Sequence, residues 1–322
     1  MSASFASALS AARDAAAAQH YPQGALYVVA TPIGNLADIT LRALHVLQLA
    51  DAVACEDTRH TQALLRAYGI DKASAQCMAV HQHNEAEAAQ AVVQRLQRGE
   101  RVAYVSDAGT PGVSDPGARL VAAVQAAGLR ALPLPGASSV TAALSVAGAL
   151  AAGPAAHQPL AGGFLFAGFL PTRSAERHAA VQALAAEHRC TVLLEAPHRI
   201  TELAAALEPL GDRPVTLARE ITKQFEEIAT LPARTLADWL QAEGTSRTRG
   251  EFVVVVHPAP APEGDASPAT TAGLRALRLL LAELPVKTAV RLAAEISGAP
   301  RNTLYDAALA MKKENGREDD AG

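Results

Sequence analysis

Residues Cys55 to Thr61 read CEDTRHT, which puts Glu56, Asp57, Thr58, Arg59 and His60 in five consecutive positions after a short apolar run. Chains rarely place that density of ionisable groups at a strand exit without using them in a site. The competing explanation is a helix N-cap followed by surface charges. A second rank of ionisable groups stands in EAPHR (Glu195, His198, Arg199) and in ARE-TK (Arg219, Glu220, Lys223). For Glu220 and Lys223 an ordinary ion pair on a helix face would explain the spacing equally well. His81-Gln82-His83 lacks a third ligand and reads as ordinary histidines, so no metal site is expected.

Glycine-rich loops supply a different chemistry. RVAYVSDAGTPGVSDPG, Arg101 to Gly117, begins as a buried strand and breaks into a loop with three glycines, two prolines and two aspartates. Glycines there let the backbone turn sharply and approach a ligand, and Asp107 and Asp115 offer acceptors to a polar or cationic group. A plain solvent loop would use the same residue types. Two more segments repeat the signal, however: TPIGN after LYVV, and LPGASS, whose Ser138 or Ser139 caps an apolar helix and leaves backbone N–H groups exposed.

These loops need strands to hold them. Short apolar runs alternate with helical patterns, and ligands of an open α/β sheet sit at the carboxyl ends of its strands. The expected architecture is α/β, with two α/β domains, a cleft between them and a small helical module at the carboxyl end. Residues 1–23 read as a disordered or weakly helical extension, 24–150 as the first domain and 151–257 as the second, which takes a single strand from VTLAREITKQFEEIATL. AAGPAAHQPLAGG is the connection between the domains, and 258–270 is a Pro/Ala linker. Beyond it, Leu274–Leu284, Lys287–Ile296 and Asn302–Met311 read as helices with a helix-turn-helix cadence around Gly298. Thr271 to Lys313 holds seven basic residues against three acidic ones, in a chain whose net charge is −4. Such a basic module suits phosphate contact with structured RNA; a packing or capping module is the alternative.

Composition sets the limits. The 322 residues are 50% hydrophobic and 19% charged, ample for two cores. Three scattered cysteines fit a reducing compartment. No apolar run reaches membrane-spanning length, and the start lacks the pattern of a signal peptide, so a soluble, cytoplasmic protein without a membrane partner is expected. G-x-G-x-x-G after the first strand, the P-loop and the G-x-S-x-G elbow are all missing. The residues alone leave the ligand unnamed.

In order along the chain, TPIGNLADIT, CEDTRHT, SDAGTPGVSDPG, LPGASS, EAPHR, ARE-TK and RGEF resemble the ribosomal RNA small subunit methyltransferase I family. That family belongs to the tetrapyrrole-methylase-like, class III methyltransferases dependent on S-adenosylmethionine (SAM). The resemblance runs from about Leu26 to His257 and extends to the helical tail; Gly112 and Ala137 are its small departures. It implies 2′-O-methylation of a cytidine ribose in the decoding centre of 16S rRNA of the small ribosomal subunit. A homodimer is implied too, and no DNA partner. Carried over by position, it implies a SAM site of Pro32, Gly34, Asn35, Asp107, Gly109, Thr110, Val113, Ser138, Ser139, Phe169 and Ala218. The catalytic candidates are Glu56, Asp57, Arg59, Glu195, Glu220 and Lys223, with Glu56 or Asp57 as base. Two other functions fit parts of the sequence: SAM-dependent methylation of a tetrapyrrole precursor, and a non-catalytic helix-turn-helix regulator sensing a nucleotide-like ligand.

Overall fold

The computed structural model describes residues 5–81, 84–150, 163–242, 244, 246–259 and 268–318. Residues up to Ala259 form one compact unit and those from Pro260 a second. The connection at 151–162 and the pair Gln82-His83 lie outside the described residues.

In the first unit, β1 (Ala25–Val29), β2 (Ala52–Cys55), β3 (Cys77–Ala79), β4 (Val102–Val105) and β5 (Arg130–Leu134) form a parallel sheet ordered β3-β2-β4-β1-β5. β2 and β4 are apolar at every position because both faces of the sheet are covered. Tyr27 and Val29 pack on one side with α2 (Leu41–Leu49), whereas Leu26 and Tyr104 pack on the other with α4 (Glu85–Gln97) and α5 (Gly117–Ala126). α3 (Thr58–Ala67) follows β2 directly.

The amino-terminal extension is ordered over α1 (Ala6–Ala16). Its alanines are strong helix formers, and Ala12 and Ala16, four residues apart, are buried on one face against the first core. The Phe5 ring meets Tyr68 edge-on at 5.3 Å. Of the two expected states of this extension, disordered or weakly helical, residues Ala6–Ala16 take the helical one, because small residues at helical spacing can pack as closely as larger ones.

The second sheet holds β6 (Phe164–Gly168), β7 (Cys190–Glu195), β8 (Pro214–Arg219), β9 (Glu227–Pro232) and β10 (Phe252–Val256), in the order β6-β7-β10-β8-β9. β6 and β7 are parallel, and the remaining pairs are antiparallel. β9 is a strand additional to the expected set: it pairs with β8 across a turn at 220–226, where a single strand was read from the sequence. Helices α7 (Ser174–Ala186), α8 (Ile200–Leu207) and α9 (Leu236–Gln241) pack on the sheet's outer face. Its inner face buries Val192, Ala218, Val253 and Val255 against α6 (Ser139–Ala147), the helix that closes the first domain. One helix thus belongs in sequence to the first sheet and in packing to the second.

The carboxyl-terminal unit is a three-helix module of α10 (Pro268–Leu281), α11 (Val286–Ser297) and α12 (Arg301–Glu318), cored by Leu277, Ala289, Ala293, Leu304 and Ala308. α10 begins earlier than expected, with Pro268 in a first-turn position that proline tolerates. Gly298 ends α11 in the left-handed conformation at φ 74°.

Candidate active site

The loops after β1, β2, β4 and β5 meet at the carboxyl edge of the first sheet and are tied to one another. Thr31 N–H donates to Gly109 O at 3.0 Å, and Gly109 N–H returns a bond to Thr31 O at 3.1 Å. Asp57 N–H donates to Asp107 Oδ1 at 3.2 Å, and the Thr110 hydroxyl donates to Ala137 O at 2.9 Å. Asp115 organises the central loop from within. Its carboxylate accepts from the buried Tyr104 hydroxyl at 2.9 Å, from Gly117 N–H at 2.8 Å and from Gly112 N–H at 2.6 Å. A Cβ at Gly117 would strike the Tyr104 ring, so the loop closes there only around glycine.

These ties enclose a cavity of about 180 Å³ lined by Glu56, Asp107, Gly109, Thr110, Val113, Asp115, Ser138 and Ser139, with Leu194 from the second domain. Leu194 reaches it because α6 docks on the second sheet. Three carboxylates line the cavity, and among the described residues no lysine, arginine or histidine does. Glu56 makes no hydrogen bond to any described residue. Burial, reinforced by the negative charges of Asp107 and Asp115, pushes its pKa up to about 7. Asp57 behaves differently. It caps α3, accepting from Arg59 N–H at 2.8 Å and His60 N–H at 3.3 Å, and these bonds hold its pKa below the ordinary value. Of the two base candidates, one is engaged in a helix cap and the other faces the cavity. Arg59 extends into solvent, 3.8 Å from Asp57.

Glu195 does not join them. Strand alternation sends Leu194 toward the cavity and Glu195 to the opposite face, where it is buried, accepts from Ala196 N–H and pairs with Arg199 at 3.3 Å. His198 is exposed beside it. Ala218 lies in the middle of β8, fully buried between β10 and β9, and lines neither this cavity nor the next. Phe169 follows β6 and is half exposed, outside both cavities. Parity along the strand and sheet pairing therefore place Glu195 and Ala218 outside the linings of both cavities. Arg219 is also structural: it donates to Arg249 O at 2.6 Å and Phe225 O at 3.2 Å.

Gly34 and Asn35 open onto a second cavity, shared with Thr222 and Lys223, while Pro32 is buried behind them. Glu220 and Lys223 are not on a helix. They stand in the β8–β9 turn, where Lys223 Nζ donates to Glu220 Oε1 at 2.9 Å and to Glu251 Oε2 at 2.8 Å. Burial works against both charges, but these bonds leave Glu220 below and Lys223 above its ordinary pKa. Glu251 was not expected in the site; the RGEF motif was its only signal.

Residues 25–237 match the model of the Tetrapyrrole (Corrin/Porphyrin) Methylases, and residues 267–312 match the RsmI C-terminal HTH domain. The ribosomal RNA small subunit methyltransferase I of Pseudomonas aeruginosa is 48% identical over 288 residues, which span 89% of this chain and 97% of that one. Its counterpart in Escherichia coli O157:H7 is 46% identical, over 90% of this chain and 96% of that one.

The chain belongs to the ribosomal RNA small subunit methyltransferase I family.

Among solved structures, the methyltransferase CobJ superposes with a TM-score of 0.51 at 18% identity, over 73% of this chain and 94% of that one, which shows the shared fold. The chain is a methyltransferase dependent on SAM. Its first cavity is lined by carboxylates, with no cation among the described lining residues, and the N-terminus of α6 beside it lacks a side-chain cap. No described helix is long and apolar enough to cross a membrane.

Proposed function

We propose that the chain transfers a methyl group from SAM to the ribose 2′-oxygen of a cytidine in 16S rRNA, in the decoding centre of the small ribosomal subunit, and acts as a homodimer. The observation that carries the reading is Glu56, a carboxylate with no hydrogen-bond partner among the described residues, in a cavity whose described lining holds no cation, and with its pKa raised to about 7. SAM, when bound, supplies an electrophilic methyl group. Glu56 accepts the proton that leaves the attacking hydroxyl, and a base with its pKa near the working pH does so most effectively. Asp57 holds α3 in place, so that Arg59, extended into solvent, is available to an RNA phosphate. Asp107, Gly109, Thr110, Val113, Ser138 and Ser139 surround the donor.

The RNA substrate and dimer are supported by family membership, and the tail by its charge. On the tail, Arg291 and Arg301 converge on Glu295 at 3.1 and 3.3 Å. Arg275, Arg278 and Lys287 are exposed and form no ion pair with a described residue, which leaves them available to phosphates. The test is incubation with labelled SAM and three acceptors: small subunits lacking the modification, free 16S rRNA and a tetrapyrrole precursor. Label is expected on the RNA, and label confined to the tetrapyrrole would contradict the reading.

A further inference from the structure

The second cavity, about 580 Å³, is walled by Phe5, Gly34, Asn35, Leu36, Thr222 and Lys223. We propose that it seats the base of the acceptor nucleotide, and that the Lys223–Glu251 pair reads a cytosine edge there. This rests on the reading of the chain as a cytidine ribose methyltransferase.

The turn that carries Lys223 is held under strain. Glu220 and Thr222 both adopt positive φ, 52° and 68°, which side chains other than glycine rarely take and which persists only when the surroundings enforce it. The enforcement is visible. Glu220 N–H donates to Glu251 O, and Glu220 Oε1 accepts both Glu251 N–H and Lys223 Nζ, each at 2.9 Å. Lys223 is laid across Gly34, where a Cβ would collide with its Cγ. The Thr222 hydroxyl is buried without a partner among the described residues. A side chain aimed this way across the domain boundary is set for something other than surface solubility.

Charge decides which part of a nucleotide suits the pocket. One ammonium faces two carboxylates, so the pocket edge is net negative and a phosphate is disfavoured. Two of the three ammonium protons are engaged, leaving one to donate. Glu251, whose side chain is 76% exposed, keeps acceptor capacity toward solvent. An acceptor and a donor 2.8 Å apart complement cytosine, whose amino donor adjoins a ring-nitrogen acceptor. Uracil presents the reverse order. Phe5 and Leu36 provide an apolar wall for a flat ring, so the amino-terminal extension helps to build the pocket.

The test measures methylation rates on small subunits carrying cytidine or uridine at the acceptor position. The wild type should prefer cytidine by roughly 10- to 100-fold. Glu251→Gln should lose most of that preference and slow on cytidine by at least about tenfold, with SAM affinity unchanged. A wild-type cytidine-to-uridine ratio in Glu251→Gln would overturn the proposal. If its melting curve shows that this variant does not fold, Glu251→Ala carries the same expectation and the same refutation, because it removes the acceptor beside Lys223 and leaves Glu220 in place. Absence of ribose methylation by the wild type would instead overturn the substrate reading and the proposal with it.

Discussion

Thr31 and Gly109 exchange two backbone hydrogen bonds, 3.0 and 3.1 Å long, that join the loop after β1 to the loop after β4. The bridge lies beside the first cavity, which Gly109 lines, and makes the TPIGN and SDAGTP segments one structure. Gly109 holds φ +80°, and a Cβ would lie 3.1 Å from Ile33 Cγ2. Gly109→Ala should therefore lose roughly 1–3 kcal/mol of stability. It should also weaken SAM binding severalfold, read by thermal unfolding and titration calorimetry.

Glu56→Gln should lower turnover by roughly 10²- to 10⁴-fold, the usual range for a lost general base, while SAM affinity stays within a few-fold of wild type. Asp57→Asn should remain close to wild type in both, because asparagine also caps a helix. Asp57→Ala should lower the melting temperature. Steady-state rates and melting curves on the three variants separate base from cap.

The raised pKa of Glu56 has a sign. A carboxyl that holds its proton more tightly when folded stabilises the fold below its unfolded pKa, and that stabilisation is lost as pH rises through about 7. Glu56→Gln cannot ionise, so its melting temperature should gain on the wild type between about pH 5 and about pH 8. Turnover of the wild type should rise through the same window. A sulfonium nearby favours the ionised form, so SAM affinity should increase there too, with proton release detectable in buffers of different ionisation heat.

Glu195→Gln should cost stability and spare the chemistry. It leaves Arg199 without its buried partner, a loss of roughly 3 kcal/mol by chemical denaturation. The folded fraction should bind SAM and turn over normally.

Much of the site was legible because strand exits leave strong marks. Glycine and proline announce the loops around Gly109 and Gly136, and CEDTRHT packs charge where a strand ends. What could not be read was direction. Glu56 and Asp57 are neighbours in sequence, yet the start of α3 turns one into a cap and leaves the other facing the cavity. Leu194 and Glu195 part for the same reason, since adjacent strand residues face opposite ways. β9 escaped notice because an edge strand with alternating exposure resembles a loop in a charged segment. α1 escaped because alanine-rich sequence carries little hydrophobic contrast. Lys223 on Gly34 is a contact between residues nearly 190 positions apart, and no local pattern encodes it.

The carboxyl-terminal module has its own core, so its removal should leave the first unit folded. Deleting 260–322 should preserve SAM affinity and weaken binding to 16S rRNA by at least about tenfold, with a shallower dependence on salt. Equal RNA affinity in the truncated protein would assign the module to packing alone.

The most direct test is to digest small-subunit RNA after reaction with labelled SAM and to identify the modified nucleoside by mass, for wild type and Glu56→Gln side by side. The account predicts 2′-O-methylcytidine from the wild type and a trace from the variant. A methyl group on a base, or equal yields from the two proteins, would contradict it.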